Sequence, residues 1–178
     1  MSPAELPRTE QVLGRADLFR DLARDDVRDV LATGRARPLD AGRYLFLLGD
    51  NADEFFVVLA GRLDLCLPIT LHGTVKDVRV ESVGVGQALG WSALVRPYRF
   101  TLSARATEPS EVIAFARVDL QDLFETHPAI RFAFLTRVSE VVGTRLVTFQ
   151  ALWVRELQRA VESEAQRRSS GEAAGGPG

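Results

Sequence analysis

The chain has few of the residues that build disulfides and metal sites. Its 178 residues include one cysteine, Cys66, and two histidines, His72 and His127. A single thiol cannot form an internal disulfide, and neither histidine has a cysteine or carboxylate at metal-ligand spacing. No stretch approaches the roughly 18 uninterrupted apolar residues of a membrane span, and the N-terminus has no apolar signal core. We therefore expect a cytoplasmic protein with no membrane contact, no metal and no cofactor.

Lysine is also scarce, and the chain has no net positive charge. The formal net charge is −2, and Lys76 is the only lysine. No global positive field would draw the chain to nucleic acid, and we expect no direct binding of DNA. Lys76 lies outside any glycine-rich loop, and the serines lack the strand–elbow–helix motif of a nucleophile. These absences predict that the protein is not an enzyme.

The 46% of hydrophobic residues is enough for one core of ordinary size. We predict an N-terminal extension over residues 1–15, one folded domain over 16–165 and a polar, glycine-rich, disordered tail over 166–178. Within the domain, helical spacing over 16–34 gives way at about residue 35 to short runs rich in β-branched and aromatic residues. Glycines interrupt these runs every few residues, which is typical of an antiparallel roll or sandwich.

The strongest hairpin signal joins residues 54–59 to residues 63–67 across Gly61, which can take the positive φ of a tight turn. Residues 68–73 are predicted to form a loop. Further strands are predicted near 75–83, over 100–106 and over 111–116. The predicted fold class is therefore α+β, an antiparallel, jelly-roll-like β-roll of about eight strands with helices at both ends.

Helical spacing returns at residues 118–124 and continues in a long segment to about residue 165. One apolar stripe follows the last helix, with members three or four residues apart. Because the stripe extends beyond what the roll can cover, we predict that two copies of the chain form a homodimer through it. The predicted dimerisation residues are Val142, Leu146, Phe149, Trp153 and Leu157.

A spaced set of landmarks runs through the strand-rich region. It comprises Gly42, Leu45-Phe46, Gly49-Asp50, Asp53, Phe56-Val57-Val58-Leu59 and Gly61. The order and spacing of these residues resemble the cyclic-nucleotide-binding domain of the catabolite activator protein superfamily. The resemblance covers roughly residues 18–157 and implies a regulatory module with a cassette for a cyclic nucleotide phosphate.

The resemblance places that cassette at residues 86–94. In the family, a glutamate directly after the cassette glycine accepts the ribose hydroxyl, and an arginine pairs with the phosphate. Here Trp91 follows Gly90, and the arginine position, aligned without gaps, falls on Phe100. Arg99 is one residue early, and a slip of one residue on a strand turns a side chain to the opposite face. The family's two ligand-binding side chains are therefore replaced.

These replacements predict a degenerate ligand site, with Trp91 either a stacking platform or a plug of the core. The candidate ligand-binding residues are Gly90, Trp91, Ser92, Ala93, Arg99, Phe100 and Thr101. We interpret the chain as a non-enzymatic sensor or interaction module that does not bind cyclic AMP in the usual mode. Its ligand would be a different small anion or nucleotide, or none. The alternative is a cyclic-nucleotide-responsive transcription regulator that acts through a partner or lacks its own DNA-binding domain.

Overall fold

A computed structural model describes residue 12 and residues 16–19, 22–71 and 73–173. It divides into two compact units, Met1–Val138 and Ser139–Gly178. The first unit contains every strand of the described residues, and the second is helical. Among the described residues, no helix is long and apolar enough to cross a membrane.

Eight antiparallel strands form two four-stranded sheets in the described part of the first unit. The first sheet has the order β1-β8-β3-β6 and the second β2-β7-β4-β5. This architecture confirms the predicted α+β β-roll. The strands are β1 (Gly34–Leu39), β2 (Tyr44–Phe46), β3 (Glu54–Ala60), β4 (Leu63–Leu71), β5 (Thr74–Val83), β6 (Ala88–Leu89), β7 (Ser103–Ala106) and β8 (Ser110–Ala116).

Three α-helices flank the strands in the described residues: α1 (Arg24–Ala32), α2 (Arg117–Thr126) and α3 (Pro128–Ala173). A single 3₁₀ turn at Asp17–Phe19 precedes α1. Proline suits the first position of α3, because its missing N–H would have no partner within the helix there. The helix continues to Ala173, so residues 166–173 are helical where the sequence predicted a disordered tail. Residues 174–178, and residues 1–15 apart from residue 12, lie outside the described residues.

The start of α3 is anchored in the core of the first unit by Phe134, which is fully buried. Its ring centroid lies 6.1 Å from that of Phe19, 5.6 Å from that of Phe55 and 5.3 Å from that of Phe124. Aromatic pairs at such distances contribute about 0.5–1.5 kcal/mol each beyond the area they bury. One phenylalanine of α3 therefore joins the N-terminal turn, the first sheet and α2.

The predicted hairpin between β3 and β4 is wrong, because the two strands lie in different sheets. β3 pairs with β6 and β8, while β4 pairs with β5 and β7, so both edges of each strand are occupied by other partners. Gly61, with a φ of +77°, turns the chain from one sheet to the other. A short loop and alternating residues are common to a hairpin and to this corner, so local sequence does not distinguish them.

The predicted loop over residues 68–73 is also wrong, because β4 continues through Pro68 to Leu71 and pairs with β5. β7 pairs with β4 along Leu63–Cys66 and no further. Beyond Cys66 one edge of β4 therefore has no strand partner among the described residues, and a proline on such an edge removes no ladder hydrogen bond. The real β4–β5 connection is confined to residues 72 and 73.

We expect Gly61→Ala to destabilise the protein by about 2–5 kcal/mol. A Cβ at this position would clash with the Ser110 Oγ and lie 2.7 Å from the Pro109 carbonyl oxygen, in addition to the strain of positive φ. Gly73→Ala is the matched control, because its φ is +79° but a Cβ there meets nothing within 4 Å. It should cost only about 1–2 kcal/mol. Urea unfolding measures both, and equal losses would contradict the corner described here.

Candidate ligand site

The cassette predicted from the sequence forms a single 3₁₀ turn, Trp91–Leu94, which we call the cassette turn. It follows Gly90, whose φ of +78° lies in the left-handed region. A Cβ on Gly90 would lie 3.0 Å from Cδ2 of Phe56 and 3.2 Å from the carbonyl oxygen of Glu54. Backbone conformation and close packing both require glycine at this position. The chain thus enters the cassette turn tightly against β3.

Three phenylalanines from separate segments pack beside Gly90, and we call Phe46, Phe56 and Phe100 the phenylalanine cluster. The Phe100 ring stacks on that of Phe46 with centroids 3.8 Å apart and planes inclined by 11°. Phe46 in turn stacks on Phe56 at 5.8 Å. Cε1 of Phe100 lies 3.4 Å from where a Gly90 Cβ would be, and the residue is only 6% exposed. An apolar ring therefore fills the space next to the cassette glycine.

Arg99 is exposed, whereas the neighbouring Phe100 is buried. Its Nη1 donates to the carbonyl oxygen of Gly49 at 2.8 Å. The surrounding backbone is pinned by two hydrogen bonds, in which Gly49 N–H donates to the Phe100 carbonyl at 2.8 Å and Phe100 N–H donates to the Asp50 carbonyl at 3.0 Å. The predicted site for a small anion beside Trp91 stays a prediction. Arg99, the cation suggested for that site, lies at the surface.

The other candidate residues divide by burial. Ser92 and Ala93 are buried within the cassette turn, Trp91 is half-buried and Thr101 is exposed. β7 begins at Ser103, so the strand is shorter than the predicted 100–106. The structure thus brings Gly90, Ala93 and Phe100 into the interior and leaves Thr101 with Arg99 at the surface.

Sequence reasoning missed two contacts of Arg117, which tie α2 to the segment before β3 and to the loop after the cassette turn. Nη2 of Arg117 donates to Oδ1 of Asp53 at 2.9 Å, and its guanidinium carbon lies 4.4 Å from the ring centroid of Tyr98. Tyr98 has a φ of +58°, which is unusual for a residue other than glycine. No local pattern signals this arrangement, because Asp53 and Arg117 are 64 residues apart in the sequence.

Titratable groups also meet on the second sheet. The Tyr44 hydroxyl donates a short hydrogen bond to Asp77, and this bond raises the pKa of Tyr44. Burial, with a smaller contribution from Asp77, raises the pKa of the Cys66 thiol, which is only 2% exposed. A buried, protonated thiol is a poor nucleophile. In the portion of the chain with described coordinates, no three His, Cys, Asp or Glu side chains are grouped to hold a metal ion.

Comparison with known proteins agrees with this geometry. A family model described as "Cyclic nucleotide-binding domain" matches residues 36–127. The cAMP-dependent protein kinase regulatory subunit of Blastocladiella emersonii is 28% identical over 126 residues, which are 71% of this chain and 30% of that protein. The chain thus spans about a third of the length of this curated relative.

Two solved structures share the fold. A cyclic nucleotide-binding domain from Methylobacillus flagellatus has a TM-score of 0.69 at 20% identity, over 82% of this chain and 81% of that one. The catabolite activator protein of Thermus thermophilus has a TM-score of 0.63 at 23% identity, over 77% and 63%. With its two-sheet roll and cassette turn, the chain belongs to the cyclic nucleotide-binding domain family.

We expect Phe100→Ala to lower the free energy of unfolding by about 3–5 kcal/mol, because it would leave a cavity beside Phe46 and Gly90. Arg99→Ala is the adjacent control. It removes an exposed side chain with one hydrogen bond to a carbonyl and should cost about 0.5–1 kcal/mol. Thermal and urea unfolding of the two variants measure the difference. Similar losses for both would contradict the buried, space-filling position of Phe100.

Proposed function

We propose that this protein is a non-enzymatic regulatory module that does not bind cyclic AMP or cyclic GMP in the family's usual mode. The observation that carries the proposal is the position of Phe100. The family resemblance assigns the phosphate-pairing arginine to this residue, and the ring instead stacks on Phe46 and packs against Gly90. An anionic phosphate placed there would lose its hydration next to an apolar ring, with no charge to compensate.

The replacement at Trp91 also lowers the affinity for cyclic nucleotides. Trp91 stands where the family has a glutamate for the ribose hydroxyl, and an indole carries one donor and no acceptor. Each charge-assisted hydrogen bond contributes about 1.5–3 kcal/mol. Loss of two or three such bonds therefore weakens binding by a factor of hundreds or more, since every 1.4 kcal/mol is a factor of ten.

The helical second unit supports a role in protein contacts. Residues 142, 146, 149, 153 and 157 fall within about 80° of arc at 100° per residue. Leu146 is 57% exposed, Trp153 66% and Leu157 48%. We propose that two copies of the chain pack these stripes together as a homodimer, which would remove the exposed apolar surface from water. The similar protein from Blastocladiella emersonii is itself named a regulatory subunit.

For the unchanged protein, we expect dissociation constants above about 10 μM for cyclic AMP and cyclic GMP, which corresponds to binding weaker than about −7 kcal/mol. The double variant Trp91→Glu with Phe100→Arg should gain affinity by at least tenfold, because it restores the acceptor and the cation at the family's positions. Isothermal calorimetry measures both.

The matched control for this experiment is Trp91→Gln with Phe100→Met, which makes the same two positions smaller without restoring charge. It should not gain affinity. Binding of either nucleotide by the wild type below 10 μM would contradict the proposal. A gain in the uncharged control equal to that in the charged variant would show that bulk, rather than missing charge, limits binding.

The homodimer is tested by Phe149→Glu with Trp153→Glu, which we expect to convert a dimer to a folded monomer. The control is Thr144→Glu with Thr148→Glu, which adds the same charge on the other side of α3, about 140–180° from the centre of the stripe. It should remain dimeric. Sedimentation velocity measures the mass of each protein, and circular dichroism verifies that α3 is retained. A monomeric wild type would contradict this part of the proposal.

A further inference from the structure

A pocket of about 450 Å³ opens beside the cassette turn, on the side lined by α2 rather than by the phenylalanine cluster. All of its lining belongs to the first unit. Ala93, Leu120 and Phe124 are buried residues of that lining, and the rest of the wall and rim is largely polar. This volume is in the range of pockets that bind small organic molecules. We call it the α2 pocket.

The charged groups of the α2 pocket include a cation with unused donors. Arg117 contributes to the wall, with its side chain 25% exposed and its Nη2 bonded to Asp53. Its Nε is buried and has no hydrogen-bond partner, and its Nη1 donates to no residue in the described part of the chain. A half-buried guanidinium with unsatisfied donors favours an oxygen-rich anion nearby.

Arg131, at the start of α3, adds a second guanidinium to the same pocket. It is exposed and forms no ion pair with any of the described residues. The acidic lining residues Asp122 and Glu125 are also exposed, so water solvates them without a ligand. Arg131 is solvated in the same way, so Arg117 is the one charged residue of the described lining whose partial burial leaves donors without a partner.

Tyr98, which forms the pocket wall next to Arg117, has a strained backbone conformation. Tyr98 keeps its φ of +58° because its N–H donates to the Val95 carbonyl at 3.0 Å and its carbonyl accepts from Ala52 N–H at 2.8 Å. A left-handed tyrosine persists only when its surroundings over-determine it, and such residues concentrate at ligand sites. Its ring covers the guanidinium of Arg117 and gives the pocket an aromatic wall.

We propose that the α2 pocket binds a small organic carboxylate with an apolar body. The carboxylate pairs with Arg131 at the rim and with Nη1 of Arg117, while the apolar part lies on Leu120, Phe124 and the Tyr98 ring. Arginine suits this task because its planar fork matches the two oxygens of a carboxylate. The inference is independent of the phenylalanine cluster and of the proposed homodimer.

The probes are sodium benzoate and sodium hexanoate, each compared with its neutral amide, titrated into the full-length ¹⁵N-labelled protein. We expect saturable shifts of the backbone amides of Tyr98, Leu120 and Gln121 with the carboxylates. The amides should bind at least about tenfold more weakly, because they lack the charge that pairs with arginine. Equal binding of acid and amide, or no shift at these residues, overturns the proposal.

Arg117 also anchors Asp53 and Tyr98, so its removal would test folding as well as binding. Arg131→Gln is the better variant, since the residue is exposed, and it should weaken the carboxylates by about 5–50-fold. Leu94→Trp should fill the pocket and abolish the shifts, while Arg155→Gln on the second unit is the control and should change nothing. Unchanged binding in both pocket variants overturns the assignment. Because none of these changes touches Trp91 or Phe100, the result is separate from the cyclic nucleotide experiment.

Discussion

The stacking of Phe100 on Phe46 is the contact around which the region of the cassette turn packs. It joins the segment before β7 to β2, and it places an apolar ring against Gly90 at the entry of the cassette turn. In the function proposed above, the backbone of the roll stays intact while packing takes the place of the family's anion site. Packing and ligand binding compete for the same volume. A ring that fills a pocket buries apolar surface and stabilises the fold, whereas an empty, polar pocket does not.

Much of the fold was predictable because its signals are local. The change from helical spacing to short β-rich runs near residue 35, and back near residue 117, marks the limits of the roll. The partner of each strand was not predictable from the same signals. β3 and β4 are joined by two residues and look like a hairpin, yet β3 pairs with β8 and β4 with β7, both far along the chain. Long-range pairing, rather than local propensity, decides such a corner.

The candidate site also combines features that the sequence could predict with features that depend on long-range contacts. The sequence assigned Phe100 and Trp91 to the family's ligand positions, and this assignment stays a prediction; the structure shows that Phe100 is buried beside Gly90. The contact between Arg117 and Tyr98 could not be predicted, because it joins two segments with no shared motif. It depends on a left-handed tyrosine, which sequence preferences argue against. A conformation that opposes local sequence preference is stabilised by tertiary contacts, so it becomes visible only in the structure.

The single thiol on β4 can report when the strands of the second sheet separate. Cys66 lies in the segment of β4 that pairs on both edges, with β5 on one side and β7 on the other. A reagent reaches its sulfur only when the centre of the second sheet separates, so the rate of modification reads the population of that opened state. With no other cysteine in the chain, the signal arises from one strand. A bound molecule that stabilises or loosens this sheet would change the rate at which Cys66 is modified, and no added label would be needed to measure it.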